Sequence, residues 1–185
     1  MKLAHTAALG ALILASMASN PAYAHISLDT PEAPALAYVR LAVRVLHGCE
    51  GAATVGLRMQ LPDGVIAAKP MPKPNWELTA VSNPSSVNEG TTAGEHSAKG
   101  HHGDAPAVRE VSWRAKAGEG LPDAFYDEFV VYLRMPDTAG QTLYFPFVQE
   151  CEGGKISRWI ERPTQGQSQD QLRLPAFPMR VLPRS

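Results

Sequence analysis

From Tyr38 to Leu46 apolar and polar positions alternate: Val39, Leu41, Val43 and Val45 point one way, and Arg40, Ala42 and Arg44 the other. The rule repeats from Thr54 to Leu61, with Val55, Leu57, Met59 and Leu61 set against Gly56, Arg58 and Gln60. A period of two marks strands with one face on a core. Further strands are expected at Val108 to Ala115, Phe125 to Met135, Leu143 to Val148 and Lys155 to Glu161. The alternation is clearest around Phe129, where Phe125, Asp127, Phe129, Val131 and Leu133 share a face opposite Tyr126, Glu128, Val130 and Tyr132. Pro62-Asp63-Gly64 supplies turn chemistry before a strand that starts at Val65, and Pro70, Pro72 and Pro74 confine the next stretch to an edge or an extended connection. Many short strands separated by turns, with almost no helical periodicity, predict an all-β immunoglobulin-like β-sandwich; a closed barrel is the alternative.

Two stretches break the pattern. Residues 82–107 are rich in Ser, Gly, Asn and Thr and read as a long flexible loop carrying His96, His101 and His102. Residues 163–185 read as a Pro-rich C-terminal tail, extended along the domain or disordered.

The N terminus adds a compartment. Lys2, the apolar run Ala7 to Ala15 and the small residues of Ala22-Tyr23-Ala24 form a signal peptide over residues 1–24, with cleavage after Ala24. The remainder, about the size of one domain, contains no stretch approaching the ~20 apolar residues of a membrane span. A single domain over residues 25–162, followed by the tail, is therefore expected. The short signal, with no lipobox-like Cys beside it, points to the bacterial periplasm. Charge argues neither for nucleic acid nor for an acidic membrane surface, since 17 Lys and Arg face 18 Asp and Glu. Cys49 and Cys151 are the only cysteines. In an oxidising compartment such a pair in one small domain reads as a disulfide, and the lack of CxxC spacing weakens a thiolate metal site.

Cleavage after Ala24 leaves His25 with a free α-amine. That amine and the imidazole Nδ1 close one chelate ring on a metal ion, which no internal histidine does. Both nitrogens bind unprotonated, and copper(II) ranks highest among divalent ions for such donors. A carboxylate from a neighbouring strand is the natural third donor; Glu128, mid-strand among mostly apolar residues, is the candidate, against the reading of a solvated residue on an open sheet face.

The histidine after the signal peptide, Pro72-Lys73-Pro74-Asn75-Trp76, Asp127-Glu128-Phe129 and Arg158-Trp159-Ile160-Glu161, in that order, make the chain resemble the YcnI-like copper-binding domains. The resemblance spans nearly the whole mature region. It implies copper handling outside the cytoplasm by a brace built on one N-terminal histidine, with a glutamate ligand and a nearby tryptophan. By position these are His25, Glu128 and Trp159; Glu161 competes for the carboxylate, and Trp76 and Trp113 for the tryptophan. The cysteine pair, the histidine-containing loop and the lack of a C-terminal membrane anchor depart from the simplest members and leave open any partner inferred from anchored relatives.

Other copper designs fit less well. The third mature position is Ser27, not a histidine, so no amine-amide-imidazole site forms. An oxidase or oxygenase would need a second histidine ligand, and His47, beside the expected disulfide, is the one candidate outside the loop. The methionines Met59, Met71, Met135 and Met179 form no cluster for copper(I). His96, His101 and His102, with Glu95 and Asp104, offer a weak second site or nothing specific. No Ser-His-Asp, paired-carboxylate or phosphate-cradling motif supports an enzyme. The expectation is a copper(II)-binding protein for homeostasis, storage or delivery to another periplasmic copper protein. An interaction sandwich whose N-terminal histidine is incidental is the non-metal alternative.

Overall fold

The computed structural model describes residues 26–82 and 107–184. The signal segment, His25 and the loop histidines His96, His101 and His102 lie outside the described residues. The strands run β1 (Ile26–Leu28), β2 (Glu32–Pro34), β3 (Tyr38–Val45), β4 (Thr54–Gln60), β5 (Ile66–Pro70), β6 (Trp76–Ser82), β7 (Val108–Ala115), β8 (Asp127–Arg134), β9 (Thr142–Phe145), β10 (Phe147–Cys151), β11 (Ile156–Trp159) and β12 (Phe177–Leu182). They form a four-stranded sheet β1-β3-β8-β5, a five-stranded sheet β11-β10-β4-β7-β6 and a three-stranded sheet β2-β12-β9. The chain is all-β with an immunoglobulin-like fold. Among the described residues no helix is long and apolar enough to cross a membrane.

The alternation read from the sequence sets the core. Leu41 and Val43 of β3, Val131 and Leu133 of β8, Leu57 and Met59 of β4, and Val111 and Trp113 of β7 are buried in one cluster. Phe129 stands at its centre, edge-on to Trp76 at 5.0 Å and to Trp113 at 5.5 Å. The third sheet adds Ala33, Phe145, Met179 and Val181 to the same core.

Two expectations change. The strand expected from Leu143 to Val148 is two strands in different sheets: β9 pairs with β12, and β10 pairs with β4 and β11. Pro146 separates them; it has no N–H to give either ladder, so the chain passes from one sheet to the next there. The tail expected beyond Arg162 is part of the domain. Its residues 177–182 form β12, parallel to β2 and antiparallel to β9, with Met179 and Val181 buried. The prolines flanking a short apolar alternation hid that strand from periodicity.

Cys49 and Cys151 form the expected disulfide, with Cα atoms 5.9 Å apart. It ties the β3–β4 connection to the end of β10. Beside it Gln149, fully buried, donates to the His47 carbonyl at 3.0 Å and to Thr54 Oγ1 at 2.8 Å.

Candidate metal-binding site

Glu128 owes its position to its neighbour. Phe129 is drawn into the core between two tryptophans, so period-two alternation turns Glu128 to the outer face of the four-stranded sheet. Antiparallel pairing then fixes its company. Ser27 of β1 faces Arg44 of β3, and Arg44 faces Glu128 of β8, a single cross-strand row. With strands about 4.8 Å apart, the two ends of that row lie about 10 Å from each other. Ser27 is the second residue after His25 in the chain.

The surroundings of Glu128 are charged, not mostly apolar as the sequence suggested. Arg40 donates through Nη2 to Glu128 Oε2 at 2.8 Å, the Tyr126 hydroxyl donates to Oε1, and Arg44 Nε stands 3.5 Å from Oε1. The Tyr126 hydrogen bond first, and then the Arg40 guanidinium, hold the Glu128 carboxyl below the usual carboxylate range. The same bond pushes the Tyr126 hydroxyl up. Arg40 also reaches Asp29 at 3.4 Å, and Asp29 accepts the Ala42 backbone N–H at 2.9 Å, which pins the β1–β2 connection to β3.

Beneath Glu128, the segment before β6 anchors the start of β8. Lys73 Nζ lies 2.6 Å from Asp127 Oδ1, donates to the Glu128 carbonyl at 3.3 Å, and sits 5.0 Å above the Phe129 ring. Asn75 turns the chain in the left-handed region, at φ 63°, which Asn tolerates better than most residues, so that Trp76 enters the core. The Pro-Lys-Pro-Asn-Trp and Asp-Glu-Phe stretches, about fifty residues apart in the chain, therefore meet in space.

A carboxylate offers about four acceptor positions, and three contacts occupy Glu128. It is anionic and about a quarter exposed. Among the described residues no group of three or more His, Cys, Asp and Glu side chains is gathered for a metal. A site at Glu128 thus needs further donors, and the chemistry of an N-terminal histidine, two nitrogens from one residue, fits that need.

A family model matches residues 25–181, described as a domain of unknown function, DUF1775. The chain belongs to the DUF1775 family. This is also the family of YcnI. A crystal structure of an uncharacterized protein from Nocardia farcinica, titled as revealing an immunoglobulin-like fold, is similar at a TM-score of 0.64 and 25% identity, covering 85% of this chain and 98% of that one. No curated protein matches.

Within this DUF1775 domain the remaining candidates separate. Trp159 is buried on β11, an edge strand of the five-stranded sheet, against Phe177 at 5.9 Å, and among the described residues its Nε1 has no hydrogen-bond partner. Trp76 and Trp113, by contrast, both pack on Phe129, directly behind Glu128, and Trp113 Nε1 donates to the Met71 carbonyl at 3.0 Å. Glu161 accepts the backbone N–H groups of Arg173 and Leu174 at 3.2 and 3.3 Å and so fastens the turn that leads to β12. Arg40, Arg44, Tyr126 and Lys73 were not singled out from sequence. Alternation placed Arg40 and Arg44 on one face of β3, but only the β3–β8 register shows that this face meets Glu128.

Proposed function

We propose that this DUF1775 domain binds copper(II) in the periplasm, for homeostasis, storage or delivery to another copper protein. His25 would supply its amine and imidazole nitrogens, and Glu128 an oxygen. The observation that carries this reading is the row Ser27–Arg44–Glu128, which sets an anionic, part-exposed carboxylate one strand beyond the neighbour of β1. Nitrogen and oxygen donors in an open set suit copper(II) and leave positions for an acceptor protein's ligands. The role is binding, not catalysis; loaded protein with a reductant should release no hydrogen peroxide above free copper. Trp76 or Trp113, which pack on Phe129 behind Glu128, would be the tryptophan beside the site rather than Trp159, and the histidines of the 82–107 loop would add a weaker site.

The test is copper(II) titration with electron paramagnetic resonance on protein starting at His25, beside protein with one extra N-terminal residue and the Glu128→Gln variant. One-to-one binding with nitrogen hyperfine structure is expected, lost in the extended form. Glu128→Gln should weaken it by about 10-fold or more, since losing even a group that only supports a ligand costs about 10- to 100-fold. Equal binding by the extended protein would remove His25 from the site and end this reading.

A further inference from the structure

On the opposite side of the sandwich, the outer face of the five-stranded sheet carries a groove of about 430 Å3 in which three arginines converge. Arg158 of β11, Val148 of β10 and Arg58 of β4 form one cross-strand row, so both guanidiniums rise from the same face with Val148 between them. Alternation past the end of β11 brings exposed Ile160 and then Arg162 to the same groove. Among the described residues Glu110 is the only acidic one lining it, and its Oε2 stands 4.0 Å from Arg58 Nε. Among the described residues the guanidiniums of Arg158 and Arg162 have no ion-pair or hydrogen-bond partner, whereas nearby Arg114 is paired with Glu150 at 2.7 Å. The groove lining thus carries a net charge of two positive units, three arginines less one glutamate, in a chain whose overall formal charge is −1.

Like charges brought together on one sheet face destabilise it unless something neutralises them. Guanidinium groups bind carboxylate and phosphate oxygens through paired N–H donors, and more weakly hydrated cations favour such pairs. Between them lies an apolar strip of Val148 and Ile160. The groove's volume falls in the range of small-molecule sites, about 300 to 1,000 Å3. We propose that this groove is a ligand site, separate from Glu128, for a small organic anion: a phosphate or carboxylate held by Arg158, Arg162 and Arg58, with an apolar body on Val148 and Ile160.

The test is a backbone amide NMR titration of copper-free protein, purified after export, with phenyl phosphate, benzoate, inorganic phosphate and phenol. Saturable shifts centred on β4, β10 and β11 are expected with phenyl phosphate or benzoate, and the tighter of the two identifies the acidic group. Arg158→Gln and Arg162→Gln should each weaken binding by about fivefold or more, as loss of a charge-assisted contact does. Both side chains are exposed, so the melting temperature should not change. Arg180→Gln, whose arginine is paired with Glu32 on the third sheet, should bind as the parent does. Shifts that never saturate, or an equal loss in Arg180→Gln, would overturn the site. Inorganic phosphate binding as tightly as phenyl phosphate would overturn the apolar half of the ligand.

Discussion

Glu128 has two cationic neighbours, and this sets the terms on which it can serve a metal. A dication about 6 to 7 Å from the Arg40 guanidinium is repelled by about 1 kcal/mol in a water-like dielectric. Arg40→Gln should therefore raise copper(II) affinity by about fivefold, measured by competition with a chelator at low salt; an unchanged or lower affinity would show that Arg40 serves to hold Glu128 in place. The same contacts make a pH signature. Because the folded Glu128 carboxyl titrates below its ordinary value, its contribution to stability is complete above the usual carboxylate range, about 4.3 for glutamate, and is lost as pH falls through the folded value. Urea denaturation should show the parent more stable than Glu128→Gln at pH 7, with that gap shrinking below about pH 4. A gap of the same size at both values would mean that the Arg40 and Tyr126 contacts contribute little. Glu128 itself was legible from the sequence as a carboxylate needing a partner. Its partners were not, because they arrive from β3 and from the turn before β8, and strand register is a property of pairing between segments.

At the scale of elements, the disulfide and the proline break decide how the sheets connect. Cys49 and Cys151 are 102 residues apart, so their bond shortens a long loop in the unfolded chain. Loops of about 100 residues give roughly 4 to 5 kcal/mol on the chain-entropy model. Replacing both cysteines with serine should lower the unfolding free energy by about 3 to 5 kcal/mol in denaturant titration under oxidising conditions; a loss below 1 kcal/mol would assign the stability of this end to the Gln149 hydrogen bonds instead. The strands β3, β4, β7 and β8 were visible in advance because each has a solvent face and a core face. The division of Leu143–Val148 into β9 and β10 was not, since the buried positions Leu143, Phe145, Phe147 and Gln149 keep one period of two straight through Pro146. Pro146 was the available signal, one that weakens a strand assignment without saying which sheet each half joins.

The whole molecule closes through its C-terminal segment. β12 runs between β2 and β9 and fills the core with Met179 and Val181, so residues near both ends of the described chain share one sheet. Met179→Ala should cost about 2 to 5 kcal/mol, the range for a fully buried methionine, read as a fall in the urea midpoint. A loss under 1 kcal/mol would mean that the segment behaves as the tail that its composition suggested.

Local physics was readable from the residues alone. The period of two follows from side chains alternating across a strand, so it gave the all-β class and the inward faces of β3, β4 and β8. Cysteine count, with the export expected from the N terminus, pointed to the bridge that joins Cys49 and Cys151, because two thiols in one oxidised domain have few other ends. Neighbourhood had to come from the tertiary structure. It set Arg40, Arg44 and Tyr126 around Glu128, brought the Pro-Lys-Pro-Asn-Trp turn beneath it, placed Trp159 on an edge strand of the other sheet and drew Arg58, Arg158 and Arg162 into one groove. Those relations depend on which strands pair and in what register, and a one-residue slip of any one strand would send its side chains to the opposite face.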